Sequence, residues 1–414
     1  MPRLTVATAR TILFWFHLAL GLTAGAAIFT MSVTGSLLAL QPQILQWLER
    51  DQRVVAPDGR SPLPPSAVID AAVQSAPRVE PASLTLSTDP TQAALVSLGR
   101  DDIRYVDPYS GTVTGAGAQR SRRFFRAVTE FHRWFAAPAE WRFTARFVTG
   151  WSTLAFVGLV LSGFVLWIPR RISRAALSRS VTPGWASTPK ARHFNWHTVV
   201  GFWCAPVLPI LACTGVVLAF PWANRLLYVA AGTPLPSASR PGGAPAERSG
   251  GREPAGNAAA PDYRNLDAAW TVAAAQVPTW QTIAVRIPSS AEGPVSFTIT
   301  DAAHWNRFAR SQLVVSGARG TIVRWEPYSD ITRGQRWRGW ARFAHTGELG
   351  GLAGQMLAGL ASAGAALLVW TGVSLAFRRP VRVRSSARGV FLETPRMVRA
   401  RATVPESVIQ AEQN

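Results

Sequence analysis

The chain has 414 residues, with 48% apolar and 16% charged residues and a net charge of +20 at pH 7. Such a basic excess raises nucleic acid as a partner, but no basic patch is interleaved with a recognisable binding fold, so no nucleic acid is expected. The two cysteines, Cys204 and Cys213, lie on one predicted helix at a separation of roughly 13 Å, which excludes a disulfide between them.

In chain order, residues 1–11 form a short basic start carrying Arg3 and Arg10. No Asp, Glu, Lys or Arg occurs between Arg10 and Glu49, Arg146 and Arg170, Arg192 and Arg225, or Glu348 and Arg378. Each interval is long enough for the about 20 apolar residues that span a hydrocarbon core. The predicted transmembrane helices cover 12–40, 146–168, 196–222 and 348–377. The first is too long for the core of a signal peptide.

The loop 169–195 holds Arg170, Arg171, Arg174, Arg179, Lys190 and Arg192, and the tail 378–414 opens with Arg378, Arg379, Arg382 and Arg384. Cytoplasmic segments carry such excesses, and they are attracted to anionic lipid. Both termini are therefore expected in the cytoplasm of a bacterial inner membrane. The segments 41–145 and 223–347 mix acids with bases and are expected outside.

Those outer segments read as small α+β domains. Ile103–Val106, Asp107-Pro108-Tyr109-Ser110-Gly111 and Thr112-Val113 form a strand, a tight turn and a strand. Gln312–Val315, Ser316–Gly320 and Thr321–Val323 repeat the pattern, and helical patches precede each at Ser66–Ser75 and Leu266–Gln276. A short helix over Phe124–Phe135 is expected before the second span, with Pro138 breaking it. Residues 231–262, rich in Pro, Gly, Ala and Ser, read as a linker.

The two halves repeat. His17, Gly21 and Thr34-Gly35 recur at the same spacing as His197, Gly201 and Thr214-Gly215. Ser162-Gly163 before Trp167 matches Thr371-Gly372 before Phe377. The expected fold is thus α-helical, with four transmembrane helices arranged as a parallel two-fold repeat and two small outer domains.

Of six histidines, four follow this repeat. His17 and His197 lie near the cytoplasmic ends of the first and third spans. His132 and His345 precede the second and fourth on the outer side. A two-fold axis would face the partners of each pair across a bundle, the geometry that ligates one flat metal-bearing ring from both sides. An imidazole hydrogen-bonded to a neighbouring helix is the ordinary alternative. The outer pair is the less symmetric: His132 precedes Gly163 by 31 residues, and His345 precedes Gly372 by 27. His193 reads as a surface residue or a substitute for His197, and His304 as an ordinary outer-domain residue.

The chain resembles the PepSY-associated transmembrane proteins, which include iron-regulated membrane proteins and ferric-siderophore reductases. The resemblance rests on Phe14-Trp15-Phe16-His17 with Gly21 and Thr34-Gly35, on Val106–Gly111, on Phe131-His132-Arg133 and on His197–Gly201. Trp325–Asp330 followed by Trp340–Glu348 is its most distinctive part. It implies PepSY-like periplasmic domains and two b-type haems, with His17, His197, His132 and His345 as axial ligands. It also implies a ferric siderophore as the outer substrate and a role in iron acquisition.

Trp337, Arg338, Trp340 and Arg342 offer a cationic and aromatic surface to such a substrate, or equally an interfacial anchor. No G-x-G-x-x-G follows a cytoplasmic strand, so electrons are expected from a membrane quinol or a separate reductase. Two other functions stay open: a sensor or assembly protein whose outer domains bind a protein or peptide, and part of a metal or siderophore transporter. The second is disfavoured by the lack of intramembrane carboxylates and of an evident broken helix.

Overall fold

The computed structural model describes residues 6–55, 59–76, 81–99, 101–169, 173–184, 188–236, 265–288, 293–303 and 308–377. His304, Arg170, Arg171, the linker beyond residue 236 and the tail 378–414 lie outside these residues. The helices are α1 (Val6–Ala39), α2 (Gln41–Leu48), α3 (Arg50–Arg53), α4 (Pro65–Gln74), α5 (Gln119–Trp134), α6 (Arg142–Trp167) and α7 (Arg174–Val181). They continue with α8 (Pro189–Cys204), α9 (Leu208–Ala219), α10 (Pro221–Ala230), α11 (Leu266–Gln276), α12 (Arg333–His345) and α13 (Gly351–Phe377). The strands are β1 (Ser83–Ser87), β2 (Ala94–Ser97), β3 (Ile103–Val106), β4 (Val113–Ala116), β5 (Trp280–Arg286), β6 (Pro294–Asp301), β7 (Arg310–Ser316) and β8 (Ile322–Glu326).

Three helical stretches, centred on α1, α6 and α13, are long and apolar enough to cross a membrane, and α8 with α9 makes a fourth if the two count as one span. That fourth stretch corrects the continuous helix expected over 196–222. It bends by 69° between Cys204 and Leu208. Pro206 has no N–H, and its ring excludes the carbonyl one turn back. The chain there tightens instead, with Ala205 N–H donating to Phe202 O and Val207 N–H to Cys204 O, both at 3.1 Å. Pro221 then begins the separate helix α10. The first half has Ala26 at the place of Pro206, and α1 runs unbroken.

The outer strands also depart from expectation. They form one antiparallel sheet in the order β4-β3-β2-β1-β5-β6-β7-β8, not two separate sheets. The order is symmetric about the seam where Ser83–Ser87 pairs with Arg286–Thr282. Alternate side chains turn to one face, so Leu84, Val96, Ile283, Val285, Phe297, Ile299, Leu313 and Val315 share a core. Val68, Ile69 and Ala72 of α4, with Leu266, Ala269 and Ala273 of α11, cover that face. Asp267 ties the two helices together, accepting from Ser66 N–H at 2.9 Å and from Ser66 Oγ at 2.5 Å.

A buried carboxylate anchors the first half. Glu49, 0% exposed, joins the end of α2 to β3 and α5. Arg122 donates to it through both Nε (2.7 Å) and an Nη (2.6 Å). Arg53 (2.8 Å), the Tyr105 hydroxyl (2.9 Å) and Ala118 N–H (2.9 Å) complete its shell. A buried charge is tolerated only when paired and fully hydrogen-bonded in this way. Burial alone would raise the Glu49 pKa, but the Arg122, Arg53 and Ala118 donors outweigh it and bring it to about 2. Burial, with the neighbouring carboxylate, pushes Tyr105 up to about 12.

Because the Glu49 pKa is depressed from its ordinary 4.5, its stabilisation is complete above that value and is lost as the pH falls toward about 2. Thermal melts of the purified protein should therefore lose stability across that window. Glu49→Gln should cost about 3 kcal/mol at neutral pH and make the acid limb shallower. An acid limb of unchanged slope in the variant would mean that other carboxylates carry it.

Candidate functional site

The four repeat-related histidines meet in two pairs. The rings of His17 (α1) and His197 (α8) lie 6.4 Å apart between centroids, at 90° to each other. Those of His132 (α5) and His345 (α12) lie 6.3 Å apart at 57°. Each pair thus draws one histidine from each half of the chain. The sites are separated along α1 by the rise from His17 to Thr34, about 25 Å, close to the thickness of a hydrocarbon core.

Each imidazole is held in one way, repeated four times. His17 Nδ1 lies 2.8 Å from Ser162 Oγ and His197 Nδ1 2.9 Å from Thr371 Oγ1. His132 Nδ1 lies 3.0 Å from Thr34 Oγ1 and His345 Nδ1 3.2 Å from Thr214 Oγ1. Each hydroxyl is also in reach of a carbonyl one turn back on its own helix: Gly158, Leu367, Thr30 and Ile210 respectively. A hydroxyl has one proton. Spending it on the helix carbonyl leaves the oxygen to accept from Nδ1–H.

The carbonyls of Leu159, Leu368, Met31 and Leu211 are further partners of His17, His197, His132 and His345, the last at 3.0 Å from Nδ1. A carbonyl only accepts, so the Leu211 contact puts the His345 proton on Nδ1; the hydroxyl argument assigns the same tautomer to the other three, which leaves each Nε2 lone pair for a ligand. This is how metal-binding histidines are commonly oriented by their second ring nitrogen.

The residue after each hydroxyl is glycine, and the imidazole lies against it. A Cβ at Gly163, Gly35 or Gly215 would come 3.2 Å from Cε1 of His17, His132 or His345, and one at Gly372 would come 3.3 Å from Cε1 of His197. The Ser/Thr-Gly pairs, visible in the sequence only as repeat markers, are therefore seats for the four rings. Sequence spacing does not reveal this, because each seat belongs to a different helix from its histidine.

The unequal histidine spacing resolves in the connections. After His132 the chain turns through Phe135 and Ala136, both at positive φ (53° and 52°), before a 3₁₀ turn at Ala139–Trp141. After His345 it turns at Gly347 (φ 75°) and enters a 3₁₀ turn at Glu348–Gly350. The four additional residues lie there, outside the ring seats.

Among the other candidates, Trp337 and Trp340 of α12 are 40% and 47% exposed. Arg338 donates to Asn224 on α10 at 2.9 Å, and Arg342 lies 6.0 Å from the Phe343 ring. His193 has a buried Nδ1 with no hydrogen-bond partner, and it does not take the place of His197. A cluster not singled out in the sequence surrounds Trp134, where the guanidiniums of Arg133, Arg142 and Arg146 lie 5.1, 5.3 and 5.1 Å from the ring.

A family model described as the PepSY-associated TM region matches residues 14–379. The chain belongs to that family. It is accordingly a multi-pass membrane protein, and the match takes in both histidine pairs and all four of their seats. No curated protein matches the chain.

The seats make a direct prediction for this PepSY-associated protein. Gly35→Ala or Gly372→Ala must displace an imidazole by a few tenths of an ångström, which is expected to cost about 1–3 kcal/mol. Gly339→Ala, on α12 with nothing within 4 Å of the new Cβ, should instead gain up to about 1 kcal/mol. Thermal melts of the three variants in one detergent check this; equal melting temperatures would remove the seat role.

Proposed function

We propose that the protein is a bacterial inner-membrane dihaem electron-transfer protein that reduces a ferric siderophore on the periplasmic face, a step in iron acquisition. The observation that carries this function is the pair of facing histidine pairs at opposite ends of the bundle. A metal bonded at about 2 Å to one nitrogen of each ring sets ring centres about 6 Å apart, and both pairs match that spacing. Among the described residues no cluster of three or more His, Cys, Asp or Glu is placed to hold a metal. A metal at either pair would therefore need its remaining ligands from a macrocycle, as in haem b.

In this function His17 and His197 hold one haem and His132 and His345 the other. Haem, when bound, supplies a one-electron couple whose potential depends on its axial ligands and their hydrogen bonds. Ser162, Thr371, Thr34 and Thr214 orient the imidazoles and keep Nε2 unprotonated. The four spans form a parallel repeat with both termini cytoplasmic, and the sheet forms two fused PepSY-like halves outside. Trp337 and Trp340, exposed beside the outer pair's α12, present aromatic surface to the substrate. Reduction of the bound ferric ion to ferrous weakens its hold on hard oxygen ligands and frees it. Electrons enter from a membrane quinol or a separate reductase.

A second function, a sensor or assembly protein, is favoured by the edge of β8, where Ile322 and Val323 are 43% and 63% exposed and open to strand addition by a peptide. The bend between α8 and α9 supplies the broken helix a transporter would use, but its counterpart α1 is continuous.

Spectra of detergent-purified protein separate these functions. Low-spin bis-histidine bands on dithionite reduction, with about two haems per chain, are expected. His197→Ala and His345→Ala should each remove one haem. Ser162→Ala should weaken haem retention about 10–100-fold, the usual cost of losing such a partner. A colourless protein made with ample haem supply would overturn the electron-transfer function and leave the binding one.

A further inference from the structure

We propose that a cavity between α8 and α13, lined by Arg192, His193, Trp196, Leu367, Trp370 and Thr371, binds the headgroup of a membrane quinol. The inference rests on the electron-transfer function proposed above and names where its donor docks. The cavity has a volume of about 210 Å³, small for a whole drug-sized ligand but suited to a single substituted ring whose tail remains in lipid.

Four observations converge on that ligand class. His193 Nδ1 is buried and makes no hydrogen bond; taken as the acceptor nitrogen of a neutral imidazole, it calls for a donor from outside the chain. A quinol hydroxyl is such a donor, and the Arg192 guanidinium can donate to an oxygen of the same ring. Trp196 and Trp370 supply aromatic walls, and Trp370 is 61% exposed on a helix long and apolar enough to cross a membrane, which suits a ligand that arrives from the lipid. Thr371, a wall of the cavity, is the residue that holds His197 Nδ1 at 2.9 Å. A ring bound there lies one side chain away from the inner histidine pair.

The repeat supplies an internal control. At the equivalent places the first half carries Ile12, Leu13, Phe16, Gly158, Leu161 and Ser162. Only the serine is polar. The space is also filled: a Cβ on Gly158 would meet Leu20 at 2.9 Å and Phe16 at 3.6 Å. The fold needs neither an arginine nor a histidine at this position, since its other half closes the same site with apolar side chains. Arg192, His193 and the tryptophans are additions to one half only. A metal is a poor occupant, because His193 is the one metal-ligating side chain in the lining apart from the threonine hydroxyl.

Decylubiquinol binding to the full-length protein in anaerobic nanodiscs with any haem already reduced, read as thermal stabilisation against concentration, tests the site. His193→Leu should weaken binding about tenfold, the loss of roughly one hydrogen bond. His193→Gln, which keeps an acceptor, should retain most of it. In the haem-loaded protein, His193→Leu should slow haem reduction by decylubiquinol while leaving dithionite reduction and haem content unchanged. Equal quinol affinity in wild type and His193→Leu, in protein carrying both haems, would overturn the inference and leave the electron-transfer function standing. Protein that binds the quinol through His193 yet holds no haem would keep the site and remove that function.

Discussion

The backbone pairing of Ser83–Ser87 with Thr282–Arg286 joins two halves that would otherwise be separate helix-sheet-helix units. Each half seats its own histidines: His17 against α6 and His132 against α1 in the first, His197 against α13 and His345 against α9 in the second. Neither half contains a facing pair. Facing pairs arise only when the halves are held in register, and the seam does this at one end while α1 packed on α13 does it through the membrane. Sheet pairing is directional and tied to its hydrogen-bond register. A sliding error of one residue at the seam would turn the core face of half the sheet outward, so the register is strongly specified.

Within each half the seat has two chemical parts with different tasks. The hydroxyl selects the tautomer, and the glycine lets the ring approach the neighbouring helix. Alanine would crowd the ring, and an apolar side chain in place of the hydroxyl would leave Nδ1–H with the helix carbonyl alone. Four such seats on four different helices impose the same local demand on each. The places where the halves differ are then informative, because the repeat shows which features the fold can do without. Pro206 against Ala26, the Trp134 arginines, and His193 against Leu13 are the main departures.

Much of this was legible in the sequence because its signals are local. Charge-free intervals mark the spans, and histidines on a repeating spacing mark the pairs. Asp107–Gly111 and Ser316–Gly320 mark the hairpin turns. What could not be read depended on long-range pairing. Leu84 and Val285 carry no trace in their spacing that they belong to adjacent strands, so the two outer domains looked independent. The Thr34–His132 and Thr214–His345 contacts join residues 98 and 131 apart, and their hydroxyl-glycine pattern resembles ordinary helix packing. Glu49 looked like a charge ending a span; its burial follows from Arg53, Tyr105 and Arg122 arriving from three other elements. The break at Pro206 was readable in principle, but continuous hydrophobicity on both sides of it outweighed the proline.

The seam also has a consequence for biogenesis. When β1 to β4 have been synthesised, β5 has not, and about two hundred residues separate Ser83 from Arg286. At about 5–20 residues per second, the first half waits on the order of ten to forty seconds with β1 as an open edge. An unpaired strand bearing Leu84 and Leu86 is a template for the wrong partner, including the same edge on another nascent chain. The chain thus passes through an interval in which its own second half competes with its neighbours for one strand.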